Sequence, residues 1–227
     1  MKLILILTLL TSLVSHAKTS PHGFYANGSL EDAECLPESG EGYIQLLRDM
    51  DRIWGTEEII TMIRDTAAEM NTLYPDRDRL QVEDIAAKHG GRIEGHGSHT
   101  NGLDVDIQFY KKNGVEHDPI KTGEDYAPSM VTAGKVSDNF DVERNWEVMK
   151  TLHKHADIQR IFIDQKLKNQ LCSYAKEKGE IQKYASVLRS LRHETNHQDH
   201  FHVRLRCPKD AKSCTPQADP SPGTGCP

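Results

Sequence analysis

The sequence predicts an α+β fold: a small antiparallel sheet flanked by helices, followed by an irregular C-terminal tail. Three observations point there. Several segments repeat apolar residues at helical spacing, several short segments alternate with period two, and the two kinds are not arranged as regular βα units. The chain has 227 residues, with 28 Lys+Arg against 34 Asp+Glu and a net charge of −6. That length suits one domain with a tail. No basic stripe with interleaved aromatics is present, so nucleic acid is not the expected partner.

Taken in order, "MKLILILTLLTSLVSHA" (1–17) has an early lysine, an apolar run and small residues at the −3 and −1 positions. It reads as a cleaved signal peptide, too short to span a bilayer comfortably. Export is therefore expected, with no integral membrane segment after cleavage. Residues 18–40 are polar and rich in Gly, Ser and Glu, and read as an irregular lead-in. "TEEIITMIRDTAAEMNTLY" places apolar residues at 59, 63, 67 and 70. Thr56 is its candidate N-cap, acidic residues occupy the first turn, and Pro75 ends it.

"RLQVEDIA" reads as a strand, "KHGGRIEGHGSH" as a glycine-rich loop, and "GLDVDIQFY" as a strand of a half-buried sheet. Residues 111–135 lack periodicity and form a long loop of the kind that covers a site or moves. "FDVERNWEVMKTLHKHA" is a helix capped by Asp141, with Trp146 on its core stripe. "IQRIFID" is a strand. "DQKLKNQLCSYAKEKG" is a helix running from Asp164 to a stop at Gly179, and "IQKYASVLRSLR" is another helix. "HFHVRLRC" is the last strand, and the Pro-, Gly- and Ser-rich remainder is irregular. The domain reading is signal peptide 1–17, main domain 18–206 and disulfide-tied tail 207–227.

The five cysteines contain no C-x-x-C pair, which argues against a zinc ribbon and, with export, for disulfides. Cys207 and Cys214 are close enough to close a small loop. Cys172 and Cys226 would then tie the tail to the body, leaving Cys35 over.

The chemistry concentrates in two stretches. His200 and His202 leave one face of their strand, and Asp104 and Asp106 leave one face of theirs. If those strands are neighbours, His197, His200 and His202 meet two carboxylates in one small space, a costly arrangement without a counter-ion. Imidazole with carboxylate, and no thiolate, suits a catalytic zinc site with an open position. Such a metal activates water, while the remaining histidines serve as base or oxyanion donor. Gly95, Gly97 and Gly102 would allow close backbone approach near His96 and His99. Spacing alone does not decide which aspartate binds.

"GHGSHTNGLDVDI", followed far downstream by "HQDHFHVRLRCP", resembles the penicillin-insensitive murein endopeptidases. They form a branch of a wider group of zinc peptidases that includes D-Ala-D-Ala dipeptidases and Hedgehog-type domains. "FDVERNWEVMK" and "RIFIDQKLKNQLC" look like the same branch, and the likeness runs from about Tyr43 to Cys226. The resemblance implies that His99, Asp106 and His202 hold one Zn2+. It implies that His200 faces the reaction centre and that His197 occupies the general-base position, so His197 and His200 are the catalytic candidates. His96 matches a histidine lining the site. Asp104 is either an orienting carboxylate behind a ligand histidine or an ordinary strand residue. Arg92 and Glu94 read as solvated loop residues.

The implied activity is a periplasmic, zinc-dependent endopeptidase cutting D-alanyl–diaminopimelate cross-links in peptidoglycan. Two other readings stand beside it. One is a D,D-carboxypeptidase or dipeptidase of the same zinc group, and the other is a non-catalytic, metal-bound wall-binding module. Oligomeric state is not legible.

Overall fold

The computed structural model describes residues 18–120 and 127–227. The signal-peptide reading of residues 1–17 lies outside the described residues, as does the centre of the 111–135 loop. Before the first helix come β1 (Ser20–Phe24), β2 (Asn27–Glu31), β3 (Glu34–Cys35), β4 (Ser39–Gly40), β5 (Tyr43–Gln45) and β6 (Trp54–Gly55). There follow α1 (Glu57–Leu73), β7 (Leu80–Val82), β8 (Asp104–Gln108), β9 (Val131–Thr132), β10 (Lys135–Val136) and α2 (Val142–His155). The chain continues with β11 (Ile158–Ile163), α3 (Gln165–Glu177), α4 (Ala185–Ser190), β12 (Leu191–His193) and β13 (His200–Leu205). The fold is α+β, as the sequence predicts. Among the described residues, no helix is long and apolar enough to cross a membrane.

The three long helices begin where their caps predict. Thr56 Oγ1 accepts from Ile59 N, Asp141 Oδ1 from Arg144 N and Asp164 Oδ1 from Lys166 N, each satisfying a free first-turn donor. Gly179, at φ 70°, follows α3 and supplies the left-handed residue its exit needs.

The principal sheet has seven strands in the order β12-β11-β13-β8-β7-β5-β4. It is larger than expected and mixed, because β5–β7 and β11–β12 pair parallel. Its centre is antiparallel, and register fixes what faces what. Ile161, Val203 and Val105 align across β11, β13 and β8, as do Phe162, His202 and Asp106. The first row belongs to the apolar core with Met149 of α2 and Ile63 of α1. The second row points to the opposite face, because successive residues alternate sides.

Three further expectations change. Residues 18–40 are not an irregular lead-in, because β1 and β2 form a hairpin and β3 and β4 add short pairings. The 181–192 pattern yields only the six-residue α4, since Leu191–His193 pairs with β11 instead. All five residues of β8 are buried, so the strand is central rather than half-buried. Its polar positions are Asp104, Asp106 and Gln108, and alternation here separates a core face from a polar site.

The disulfides are Cys172–Cys226 and Cys207–Cys214, with Cys35 free, the pairing expected above. Trp146 is a core residue, 1% exposed, with Nε1 donating to Glu180 Oε2.

Candidate active site

Strands β8 and β13 carry the site on their polar face. The pairing sets His202 opposite Asp106, Arg204 opposite Asp104 and His200 opposite Gln108. The glycine-rich loop before β8 brings His96 and His99 over this face. A cleft of about 500 Å³ opens above them, bordered by His96, His99, Asp106, His197, His200 and His202. All five predicted histidines and Asp106 therefore meet. Arg92 and Glu94 are exposed loop residues.

His99 is 1% exposed and sits at φ 65°, a left-handed conformation that non-glycine residues seldom adopt. Two hydrogen bonds hold it there: its N donates to Asp104 Oδ2 (3.1 Å), and its Nδ1 donates to Ile85 O (2.8 Å). The second bond fixes Nδ1 as a protonated nitrogen, so that Nε2 is the one available to a metal. Nε2 lies 3.3 Å from Asp106 Oδ2. His202 presents Nδ1 to Asp106 Oδ1 at 3.3 Å, and its Nε2 stands 3.0 Å from Asp104 Oδ1, outside good hydrogen-bond alignment. His96 Nδ1 is 3.5 Å from Asp106 Oδ2, while its Nε2 hydrogen bonds with Asp84 Oδ2 at 2.8 Å.

These residues fit a metal. His99 Nε2 and Asp106 Oδ1 are buried polar atoms without a hydrogen-bond partner, although such atoms are normally satisfied. Ligand atoms around a tetrahedral zinc at about 2.0–2.1 Å stand roughly 3.3–3.4 Å apart, close to the spacings found here. Among the described residues, His96, His99 and Asp106 form a group of potential ligands mutually within 4.8 Å. The expected set of His99, Asp106 and His202 shares two of its members with that group.

The electrostatics are tightly coupled. Burial opposes the Asp106 anion, but His99, His200 and His202 hold its carboxyl well below the usual range. Burial alone would lower His99, yet Asp106 raises it to about 9. His200 is likewise raised to about 10, because Asp106 and Asp199 outweigh its burial. His202 goes the other way, to about 4, since burial exceeds the pull of Asp104 and Asp106. Burial also lowers His197. The cluster thus sets a buried carboxylate among imidazoles, and a divalent cation can balance its charge where a ligand histidine gives up a proton.

The catalytic candidates stand at the rim. Their rings lie 4.9 Å apart between centroids. His197 Nδ1 donates to Thr195 O (2.6 Å), which leaves Nε2 as acceptor. His200 Nδ1 pairs with Asp199 Oδ1 (2.7 Å).

Asp104 lies behind the two histidines as a buried, fully engaged carboxylate. It is 0% exposed and accepts from Arg204 Nε at 2.7 Å and Nη2 at 3.1 Å, besides His99 N. Sequence reasoning missed Arg204, Asp84 and the β1–β2 hairpin. The period-two run His200, His202, Arg204 could have disclosed the first; nothing local marked the other two. The hairpin buttresses the His99 loop, because Thr100 Oγ1 donates to Tyr25 O (2.9 Å) and accepts from Gly28 N (2.8 Å). A Cβ at Gly95 or Gly97 would meet nothing within 4 Å, so close approach does not explain them. Gly102 does lie against Leu30 and Gly55, at φ 72°.

A family model described as "Penicillin-insensitive murein endopeptidase" matches residues 21–227. Proteins of that name are similar over most of the chain. The one from Haemophilus influenzae is 33% identical over 221 residues, covering 92% of this chain and 71% of the relative. Those from Klebsiella pneumoniae subsp. pneumoniae and Escherichia coli O157:H7 are 31% and 30% identical, each covering 90% of this chain and 72% of the relative.

Proposed function

The chain belongs to the penicillin-insensitive murein endopeptidase family and is a peptidoglycan-cleaving enzyme; from that premise we propose that it works with one zinc ion on D-alanyl–diaminopimelate cross-links. The observation that carries the zinc reading is the pair of buried, unpartnered ligand atoms, His99 Nε2 and Asp106 Oδ1, in an open cleft. We assign His202 as the third ligand. Its Nδ1 stands 3.3 Å from Asp106 Oδ1, and its other nitrogen is backed by Asp104. His96 is more exposed and already engaged with Asp84, which suits a residue lining the cleft. The alternative set, with His96 in place of His202, is favoured by the tighter clustering of His96, His99 and Asp106. Zinc content of His96→Ala and His202→Ala separates the two sets.

Bound zinc supplies a Lewis acid for the scissile carbonyl and lowers the pKa of water toward ~7. The protein's own groups do the rest. His197, its tautomer fixed by Thr195 O, offers Nε2 to take the proton of the attacking water and return it to the leaving amine. His200, its Nδ1 paired with Asp199 Oδ1, stands beside the cleft, where its ring can donate to the developing oxyanion. The two disulfides agree with an oxidising compartment, and we place the enzyme in the periplasm. Residues 207–227 are read as a tail to the 18–206 catalytic domain.

The test is digestion of purified cross-linked murein with and without chelator. Dimeric muropeptides should give way to monomers, stop doing so on chelation, and resume with added zinc. Dimers that persist despite bound zinc refute the endopeptidase. Released D-alanine with dimers intact selects the carboxypeptidase. Equal murein binding by wild type, His197→Ala and His202→Ala, with no product from any, selects the binding module.

A further inference from the structure

The irregular tail reaches the metal centre. Arg204 follows His200 and His202 on the cleft face of β13, and its guanidinium makes three hydrogen bonds. Two go to Asp104; the third runs from Nη1 to Gln217 Oε1 at 2.9 Å. Tyr25 and Phe162 rings lie 4.2 and 5.0 Å from its centre, which prevents the fork from turning out of plane. Asp104 in turn accepts from His99 N and stands 3.0 Å from His202 Nε2. One carboxylate therefore addresses both ligand histidines, and one guanidinium fixes that carboxylate.

Gln217 is itself held. Gln159 Nε2 donates to Gln217 O (3.0 Å) and Ala218 O (2.9 Å), and Arg160 Nη2 donates to Ala218 O (2.7 Å). The segment is bracketed by Cys207–Cys214 on one side and by Cys226, bonded to Cys172 of α3, on the other.

We infer that Gln217 and Arg204 are positioning residues of the metal centre, so that the disulfide-tied tail sets metal affinity through Asp104. This rests on the reading of His99, Asp106 and His202 as ligands. The physical basis is the planar fork of arginine, which holds a carboxylate in one orientation only while its own donors are satisfied. Without the Gln217 acceptor, Nη1 must find another partner, and Asp104 is freed to turn away from His99 N. Outer partners of ligand histidines typically carry about 10–100-fold in metal affinity. Gln217 is one hydrogen bond further out, so about 3–10-fold is expected.

The experiment is zinc competition against a chromogenic chelator on the oxidised protein. Wild type, Gln217→Ala, Gln217→Glu and His99→Ala are compared, each with zinc-free thermal unfolding and with KM and kcat on a soluble dimeric muropeptide. Gln217→Ala should bind zinc about 3–10-fold more weakly at unchanged zinc-free Tm. Gln217→Glu keeps an acceptor for Arg204 and should match wild type. If wild type binds zinc and Gln217→Ala binds it equally well, the inference fails alone; a KM increase with that result marks Gln217 as a substrate contact. A loss of affinity that only tracks a lower zinc-free Tm also overturns it. If wild type binds no zinc, or His99→Ala binds as well as wild type, the ligand reading fails and takes this inference with it.

Discussion

Removing the Asp104 carboxylate should damage stability and metal affinity separately, and the two losses can be measured apart. In Asp104→Ala the buried Arg204 guanidinium loses both charge-assisted bonds, and His99 N loses its acceptor. Breaking a buried ion pair by deleting one partner costs about 3–5 kcal/mol. An orphaned backbone donor adds roughly 1–3 kcal/mol. Arg204 keeps Gln217 and borders the open cleft, where water can reach it, so the total should fall near the lower bound, about 3–5 kcal/mol. For a chain of this size that corresponds to a Tm drop of about 6–20 °C. Zinc affinity should fall by about 10–100-fold, because His99 and His202 lose their common orienting group. Denaturant unfolding of zinc-free protein gives the first number and chelator competition the second. The double variant Asp104→Leu/Arg204→Met, which replaces both charges with apolar groups, should regain much of the stability and none of the zinc affinity. A single variant costing under about 1 kcal/mol contradicts the buried-pair argument. Zinc affinity that returns with stability in the double variant would refute the orienting role.

Two further outcomes are expected. Gly102→Ala should lose about 1–3 kcal/mol in denaturant unfolding, because the residue sits at φ 72° and its Cβ would lie 2.6 Å from Leu30 Cδ2, itself buried; a neutral effect would contradict the crowding. His153, whose Nε2 hydrogen bonds with Ser190 Oγ, is lowered to about 4 by burial, so the unfolded chain binds a proton the folded one refuses between about pH 6.5 and 4. Its contribution is therefore intact above that window and lost as pH falls through it, by at most about 3 kcal/mol, and His153→Gln should flatten the acid limb of stability against pH. Parallel curves for variant and wild type would exclude His153 as the titrating group.

What the sequence disclosed and what it concealed follow from the range of the interactions. Thr56, Asp141 and Asp164 each act on a donor two or three residues away, and the helix starts were legible for that reason. The residue types of the site were legible because period two alone places His200 with His202 and Asp104 with Asp106. The environment of β8 was misread: an aspartate every second residue resembles a solvated face until Arg204 and the histidines are seen to cover it. The β1–β2 hairpin escaped notice because only Leu30 of its second strand is buried, and its purpose is tertiary, to carry Thr100 and Tyr25. Leu191–His193 continues a helical pattern and is made a strand only by the β11 edge beside it.

The pairing of β8 with β13 also dictates when the protein can become active. Asp106 and His202 face each other across a ladder whose strands are separated in the chain by α2, β11, α3 and α4. Closing so long a loop is entropically expensive and slow, and local helices form well before it. A folding intermediate without docked β13 can gather at most His96, His99 and Asp106, and it lacks His200 and His202. With His99, Asp106 and His202 as the ligand set, the metal would reward completion of the sheet rather than template it. On that ligand set, hydrolytic competence would arrive with the docking of the last strand, and a chain interrupted before His200 should be inert however well its helices have formed.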